Sequence, residues 1–342
     1  MFPIQNIYYL LCYAWNTLDE KERVSVEVED NTELVDLFAK VLINSSTILL
    51  KRGFEKNYKT YRNERTSIKG KLEVSESLKN NSFQHLKAVC TYDEYSADIL
   101  HNQILITTLY RLLNTTNLDS GLKDRIRRLL WMFPAVRQIE LHLAVFQQVR
   151  IHRNNRFYGF LLNICQLLYQ SSLPTEDKGT LFFTDFTRDD YKMATLFEKF
   201  IFRFYSIEMP FLKPSVKLIK WNLQPLNDEY KDYLPLMKTD ITLRGADPKI
   251  IIDAKYYRET LRENFGKEKI KSENLYQLFS YLINQEDGSE ASNQTIGILL
   301  YPTIDDEYDL QYRFQDHDIH IKTVNLNTHW SNIERRLKEI VN

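Results

Sequence analysis

Apolar and polar positions alternate along this chain in two rhythms, helical over most of its first two-thirds and strand-like toward its end. Apolar and aromatic residues recur at helical spacing over 6–17, 33–50, 97–114, 121–132, 157–169 and 191–205. Between the second and third of these, period-two alternation over 57–74 predicts hairpins, and 171–180 reads as a loop. Farther on, 216–223, 237–243 and 249–257 predict three strands, 270–283 a helix, 295–301 and 320–325 two more strands, and a terminal helix closes the chain. That order of elements predicts an α/β (α+β) core with a central mixed sheet flanked by helices. The arginine-rich segment 149–156 looks like a junction. It divides the chain into 1–150, a mixed α+β domain, and 151–342, which holds the core.

Composition narrows the picture. The 342 residues are 43% hydrophobic and 13% aromatic with only 9 Gly and 9 Pro, which describes ordered globular domains rather than a disordered chain. Net charge is −1, so a polyanionic partner must be met by local patches. One candidate is 51–71, where Lys51, Arg52, Lys56, Lys59, Arg62, Arg65, Lys69 and Lys71 face only Glu55 and Glu64. Such a run is also what a solvated face looks like. Cys12, Cys90 and Cys165 are widely spaced in apolar surroundings, as buried thiols in a reducing compartment would be. The apolar start lacks a basic lead and no stretch reaches bilayer-spanning length, so a soluble, cytoplasmic protein with no membrane partner is expected. No GxxxxGK[ST] loop occurs, and this chain is expected to bind no nucleotide itself.

The candidate chemistry lies in the second half. Ile250-Ile251-Ile252 reads as a strand buried on both faces, and the ionisable Asp253 and Lys255 at its end are costly unless they meet partners. Two apart, they point to one side of the strand. Asp240 supplies a second carboxylate on the preceding segment, and 244–247 is short enough for a hairpin connection. Two neighbouring carboxylates resist joint ionisation unless a divalent cation lies between them, and oxygen ligands favour Mg2+ or Mn2+. Such a centre hydrolyses phosphodiesters, with Lys255 positioning water or stabilising developing charge. Alone, Asp-x-Lys is short and common, and a structural ion pair also produces it. Gln277 and Tyr281, four apart on the following helix, share a face from which both can reach the site or a nucleic acid. His317 and His320 read as an exposed strand entry rather than metal ligands.

Asp240, Asp253-Ala254-Lys255 and Gln277-x-x-x-Tyr281, on strand, strand and helix, resemble the PD-(D/E)xK nucleases with the QxxxY helix of RecB-like members. Thr239 stands where that motif has proline. The resemblance implies a restriction-endonuclease-like core and a metal ligand set of Asp240, Asp253, Ala254 and Glu198, the last on the helix before the sheet. A wider resemblance, to McrC, rests on Asn6-Ile7-Tyr8-Tyr9-Leu10-Leu11, Tyr13-Ala14-Trp15, Arg52-Gly53-Phe54, Ile68-Lys69-Gly70-Lys71-Leu72, Tyr92-Asp93-Glu94 with Asn102, Leu196-Phe197-Glu198-Lys199-Phe200, Asp253-Ala254-Lys255-Tyr256-Tyr257 and Asn274-Leu275-Tyr276-Gln277. It implies a nuclease subunit that cleaves modified double-stranded DNA beside a McrB-like AAA+ GTPase hexamer whose hydrolysis it stimulates. The N-terminal part would project into the partner's pore, making 51–71 a protein-binding segment, and assemblies would dimerise. Two other readings stay open: a standalone RecB-like nuclease, and a regulatory subunit with an idle site.

Overall fold

A computed structural model of the chain describes residues 2–18, 33–177, 179–257, 262–264, 267–305 and 307–342. The chain forms two compact units, Glu29–Thr184 and a second made of Met1–Val28 with Asp185–Asn342. The expected boundary near residue 150 therefore falls inside the first unit. There the helix Arg156–Gln170 buries Phe157, Phe160, Leu161, Ile164 and Leu168, packing on helices from earlier in the same unit, so no break in the core separates it from them. The first helix, α1 (Ile4–Ala14), belongs to the other unit and packs along the helix Asp190–Glu208.

In the unit Glu29–Thr184, α2 (Leu34–Arg52) ends at Gly53, whose φ of 91° suits the turn that leaves the helix. Next come β1 (Asn57–Arg65), β2 (Lys71–Leu72) and β3 (Ala88–Ser96). The period-two alternation is a strand signal, but not of a local hairpin: β1 pairs along its whole length with β3, from Asn57 opposite Ser96 to Arg65 opposite Ala88, and β2 pairs with the other edge of β3. β3 was not anticipated from the pattern of the sequence. Helices α3 (Leu100–Leu113), α4 (Ser120–Trp131) and α5 (Arg156–Gln170) form the rest of the core, and a small ribbon of β4 (Ser172–Pro174) with β5 (Leu181–Phe183) occupies the region expected as a loop.

The second unit is built on a six-stranded mixed sheet. Its parts are α6 (Asp190–Glu208), β6 (Pro214–Ser215), β7 (Leu218–Ile219), β8 (Met237–Lys238), β9 (Ile241–Leu243), β10 (Ile250–Ala254), α7 (Ser272–Asn284), β11 (Ile296–Thr303), β12 (Asp309–Phe314), β13 (His317–Asn325) and α8 (Trp330–Ile340). The sheet order is β12-β13-β11-β10-β9-β6, with β10, β11 and β13 parallel and the remaining pairings antiparallel. Every residue of β10 is buried, as its isoleucine run requires. Against one face, α7 packs Leu278, Tyr281 and Leu282 on Ile251, Leu299, Tyr301, Ile319 and Ile321. Close approach depends on Gly297, where a Cβ would lie 2.8 Å from Leu282 and 3.0 Å from Leu278. Helix α8 docks on β13 and buries Trp330, Ile333, Leu337 and Ile340, a repeat of three to four residues. The central mixed sheet with flanking helices is thus present, although the strand expected over 216–223 shrinks to two residues and β12 lay outside the anticipated set. Among the described residues no helix is long and apolar enough to cross a membrane. Cys12, Cys90 and Cys165 are all buried, and none forms a disulfide among the described residues.

Candidate active site

The site begins with a break in a strand. The anticipated strand over 237–243 is split into β8 and β9 by Thr239 and Asp240. Thr239 is fully buried; its N–H donates to the Lys217 carbonyl at 3.0 Å and its hydroxyl accepts from Lys217 N–H at 3.0 Å. A proline at 239 would lack that N–H, so threonine here ties the turn by two hydrogen bonds where proline would fix it by its ring. β9 and β10 are antiparallel neighbours with Ile241 opposite Ile252, as the short connection predicts. Asp240 then meets the end of β10, where its Oδ2 accepts the Ala254 N–H at 3.0 Å.

Asp253 shares the face of β10 on which Ile251 meets α7, and its side chain is wholly buried. Lys255 Nζ lies 3.0 Å from Asp253 Oδ2, yet neither Asp253 oxygen has a hydrogen bond of good geometry. A buried carboxylate with that little support is expensive. The cost appears as proton affinity: burial and then the charge of Asp253 push the Asp240 carboxyl up to about 7, against opposition from Lys255 and the Ala254 N–H. Burial likewise raises Asp253, with Lys255 working the other way. The pair therefore holds a proton, or a cation in its place.

Lys255 is aimed from the helix side. Its Nζ donates to Gln277 Oε1 at 2.9 Å, Gln277 Nε2 donates to Tyr281 Oη at 2.6 Å, and Tyr281 Oη donates to the Lys238 carbonyl at 2.8 Å. Each link fixes the next. The carbonyl can only accept, so the tyrosine must donate to it and accept from the amide, which turns the Gln277 oxygen toward the ammonium. Burial pushes Tyr281 up to about 12, keeping it a neutral donor. Gln277 and Tyr281 thus reach the site by positioning Lys255. Asn274, one turn earlier, links Tyr257 and Tyr301 at 3.2 and 2.9 Å and fixes the same helix to the sheet; the sequence pattern alone did not single it out.

Glu198, on α6, is half-buried, and its carboxyl is raised by burial first and by Asp240 second. The three carboxylates feel one another, but among the described residues no three His, Cys, Asp or Glu side chains form a ready-made metal cage. The donors in hand are the two aspartates at the strand end. Their hard oxygens, one pair lacking hydrogen bonds, fit a divalent cation such as Mg2+. His317 corrects an expectation: it is fully buried, with Nδ1 2.8 Å from the Thr295 carbonyl and Nε2 2.9 Å from Glu286. Both partners are acceptors, so the imidazole serves as a clamp at the end of α7.

These features define a class: a mixed α+β protein whose central sheet delivers two coupled aspartates and an oriented lysine to one strand end. The chain belongs to the McrBC family, since the profile described as "McrBC 5-methylcytosine restriction system component" matches residues 5–302. It is 32% identical over 342 residues to the type IV methyl-directed restriction enzyme EcoKMcrBC of Escherichia coli K12, covering 99% of this chain and 97% of that protein. Its fold is also similar to a chain of the refined half-complex from the tetradecameric assembly of Thermococcus gammatolerans McrB AAA+ hexamers with bound McrC. That likeness has a TM-score of 0.59 at 18% identity and covers 99% of this chain and 76% of the other.

Proposed function

We propose that this chain is the McrC-type nuclease subunit of a McrBC-type restriction system. On this reading it is a Mg2+-dependent endodeoxyribonuclease of restriction-endonuclease-like, PD-(D/E)xK architecture. It cleaves modified double-stranded DNA together with a separate McrB-like AAA+ GTPase hexamer, whose hydrolysis it stimulates. The observation that carries the activity is Asp253, a fully buried carboxylate without a well-formed hydrogen bond, coupled to Asp240 and held beside Lys255. A purely structural ion pair would meet the whole charge of its carboxylate; here a single lysine at 3.0 Å is shared by two aspartates, leaving negative charge that a divalent cation would meet. The partner rests on family membership and on the named complex of the similar fold.

Asp240 and Asp253 would hold the metal, with Glu198 near enough to tune it electrostatically. When bound, the cation would activate water and neutralise charge on the scissile phosphate. The Ala254 N–H orients Asp240, and Gln277 holds Lys255 as a donor toward developing negative charge. Cutting both strands with one such site per chain calls for two assemblies brought together.

The test is cleavage of methylated and unmethylated DNA in Mg2+, with and without the GTPase subunit and GTP. Cutting that needs methylation, the partner and GTP is the expected result. Cutting by the chain alone would favour a standalone nuclease. Restriction that persists unchanged in Asp240→Ala would leave only a regulatory role.

A further inference from the structure

The basic run over 51–71 is not the strongest positive surface once the chain is folded. Lys59 pairs with Asp98 at 2.6 Å, Arg62 with Glu76 at 2.6 Å, Lys69 with Glu94 at 2.5 Å and Lys71 with Glu73 at 3.2 Å. Carboxylates from outside the run thus neutralise half of its eight cations. A different surface of the same unit keeps its charge. Helix α4 buries Leu122, Ile126 and Leu129 and turns Arg127, Arg128 and Trp131 outward on the opposite side. Four cations on this helix, Lys123, Arg125, Arg127 and Arg128, face a single carboxylate within it, Asp124, which pairs with Arg127 at 2.5 Å. Among the described residues, Arg128 reaches only the Asp124 carbonyl, at 3.4 Å, and Arg125 only the Asn44 side-chain oxygen, at 3.2 Å.

Two more charges join this surface. Helix α2 runs beside α4, with Asn44 against Arg125 and, just past both helix ends, Phe54 against Phe133 at 4.8 Å between ring centroids. The exposed Lys51 and Arg52 in the last turn of α2 therefore lie at the end where Trp131 projects, and neither pairs with a carboxylate among the described residues. Trp131 is 90% exposed and Met132 61%. An indole left that open amid arginines is the composition of a contact surface rather than of a solvated face.

We propose that the outer face of α4, with the last turn of α2, docks the phosphodiester backbone of duplex DNA. Resting on the reading of this chain as a DNA-cleaving subunit, the inference adds a second DNA contact in the unit that does not carry the active site. Arg127 and Arg128 meet phosphate oxygens, Lys51, Arg52 and Lys123 extend the positive track, and the Trp131 ring packs on the sugars beside them. Charge complementarity selects this partner over a protein: among the described residues, α4 and the last turn of α2 carry six basic side chains against one acidic one, Asp124.

The test measures anisotropy of a short fluorescein-labelled DNA duplex against the full chain, in EDTA and in an Asp253→Asn background, across a salt series. Cleavage plays no part in that readout, so failure of the nuclease reading would leave it interpretable. Arg127→Ala with Arg128→Ala is expected to weaken binding about tenfold and to flatten the dependence of log affinity on log salt by about 2. Arg127→Lys with Arg128→Lys should keep the salt slope, which controls for folding. Binding of unlabelled duplex is expected to quench intrinsic tryptophan fluorescence, and Trp131→Phe should remove that part of the quench; an equal quench in the variant would overturn the role of Trp131. Unchanged affinity and slope in the alanine pair would overturn the proposal. So would intact DNA binding alongside lost association with the GTPase subunit, which would reassign this face to a protein partner.

Discussion

Two aspartates, one in each unit, show how environment sets the charge state of the same side chain. Asp98, whose side chain is 10% exposed, meets Lys59 at 2.6 Å, the Arg137 guanidinium at 2.9 Å, Gln103 at 2.7 Å and the Arg137 N–H at 3.0 Å. Burial pushes its carboxyl up, but Gln103, Lys59 and Arg137 together outweigh that and hold it well below the usual range. Asp253 is more deeply buried and has one lysine. Its proton affinity goes the other way. A carboxylate that gathers four donors stabilises a fold; one kept short of donors beside a second carboxylate keeps unmet charge, as the proposed metal site requires.

The sharpest way to break this contrast is to neutralise each aspartate in turn. Asp253→Asn should lower Mg2+-dependent cleavage by about three orders of magnitude while leaving the urea unfolding midpoint at or above that of the parent. Asp98→Ala should do the reverse, costing about 2–3 kcal/mol in urea unfolding by stranding Lys59 and Gln103 while cleavage per folded molecule persists. If Asp98→Ala abolished cleavage in folded protein, or Asp253→Asn left it intact, the division of roles would be wrong. A smaller effect is expected at Tyr281. Removing its hydroxyl by Tyr281→Phe releases the Gln277 amide from its fixed orientation, and cleavage should fall about tenfold without loss of Mg2+ affinity.

The subtlest difference is in pH dependence. In the metal-free chain Asp240 retains its proton up to about 7, against an ordinary 3.8. Between those values the folded state binds more protons than the unfolded one, so this site makes the metal-free protein less stable as pH rises through the window. The difference in melting temperature between the parent and Asp240→Asn in EDTA should therefore widen in favour of the variant from pH 5 to pH 8, and Mg2+ should close it at pH 8. Asp98 has the opposite sign: its contribution is present above the ordinary value and is lost only as strong acid approaches its lowered one.

Much of the sheet unit was legible because its signals are local. A run of isoleucines closing on Asp253 and Lys255 fixes a buried strand, its polarity and the shared side of two charges, and the four-residue spacing of Gln277 and Tyr281 fixes a helix face. The first unit was less legible. The alternation over 57–65 announces a strand but cannot name a partner, and β3 arrives 23 residues after β1 ends. The arginine-rich junction near residue 150 lies within one compact unit, where α5 completes a core begun by α2 and α3, and side-chain packing leaves no local mark in the sequence there. His317 misled for the same reason: flanking aspartates suggest solvent, while Thr295 and Glu286, which enclose it, are distant in sequence.

The residues alone determined which groups can do chemistry here and which of them share an element, since backbone periodicity is set over a few positions. Tertiary structure decided which charges remain available. Whether a lysine or an aspartate ends up neutralised, as over 51–71 and at Asp98, or left wanting, as at Asp253 and on α4, depends on partners brought close only by folding, because hydrogen bonds act only at contact and salt water screens exposed charges beyond about 8 Å.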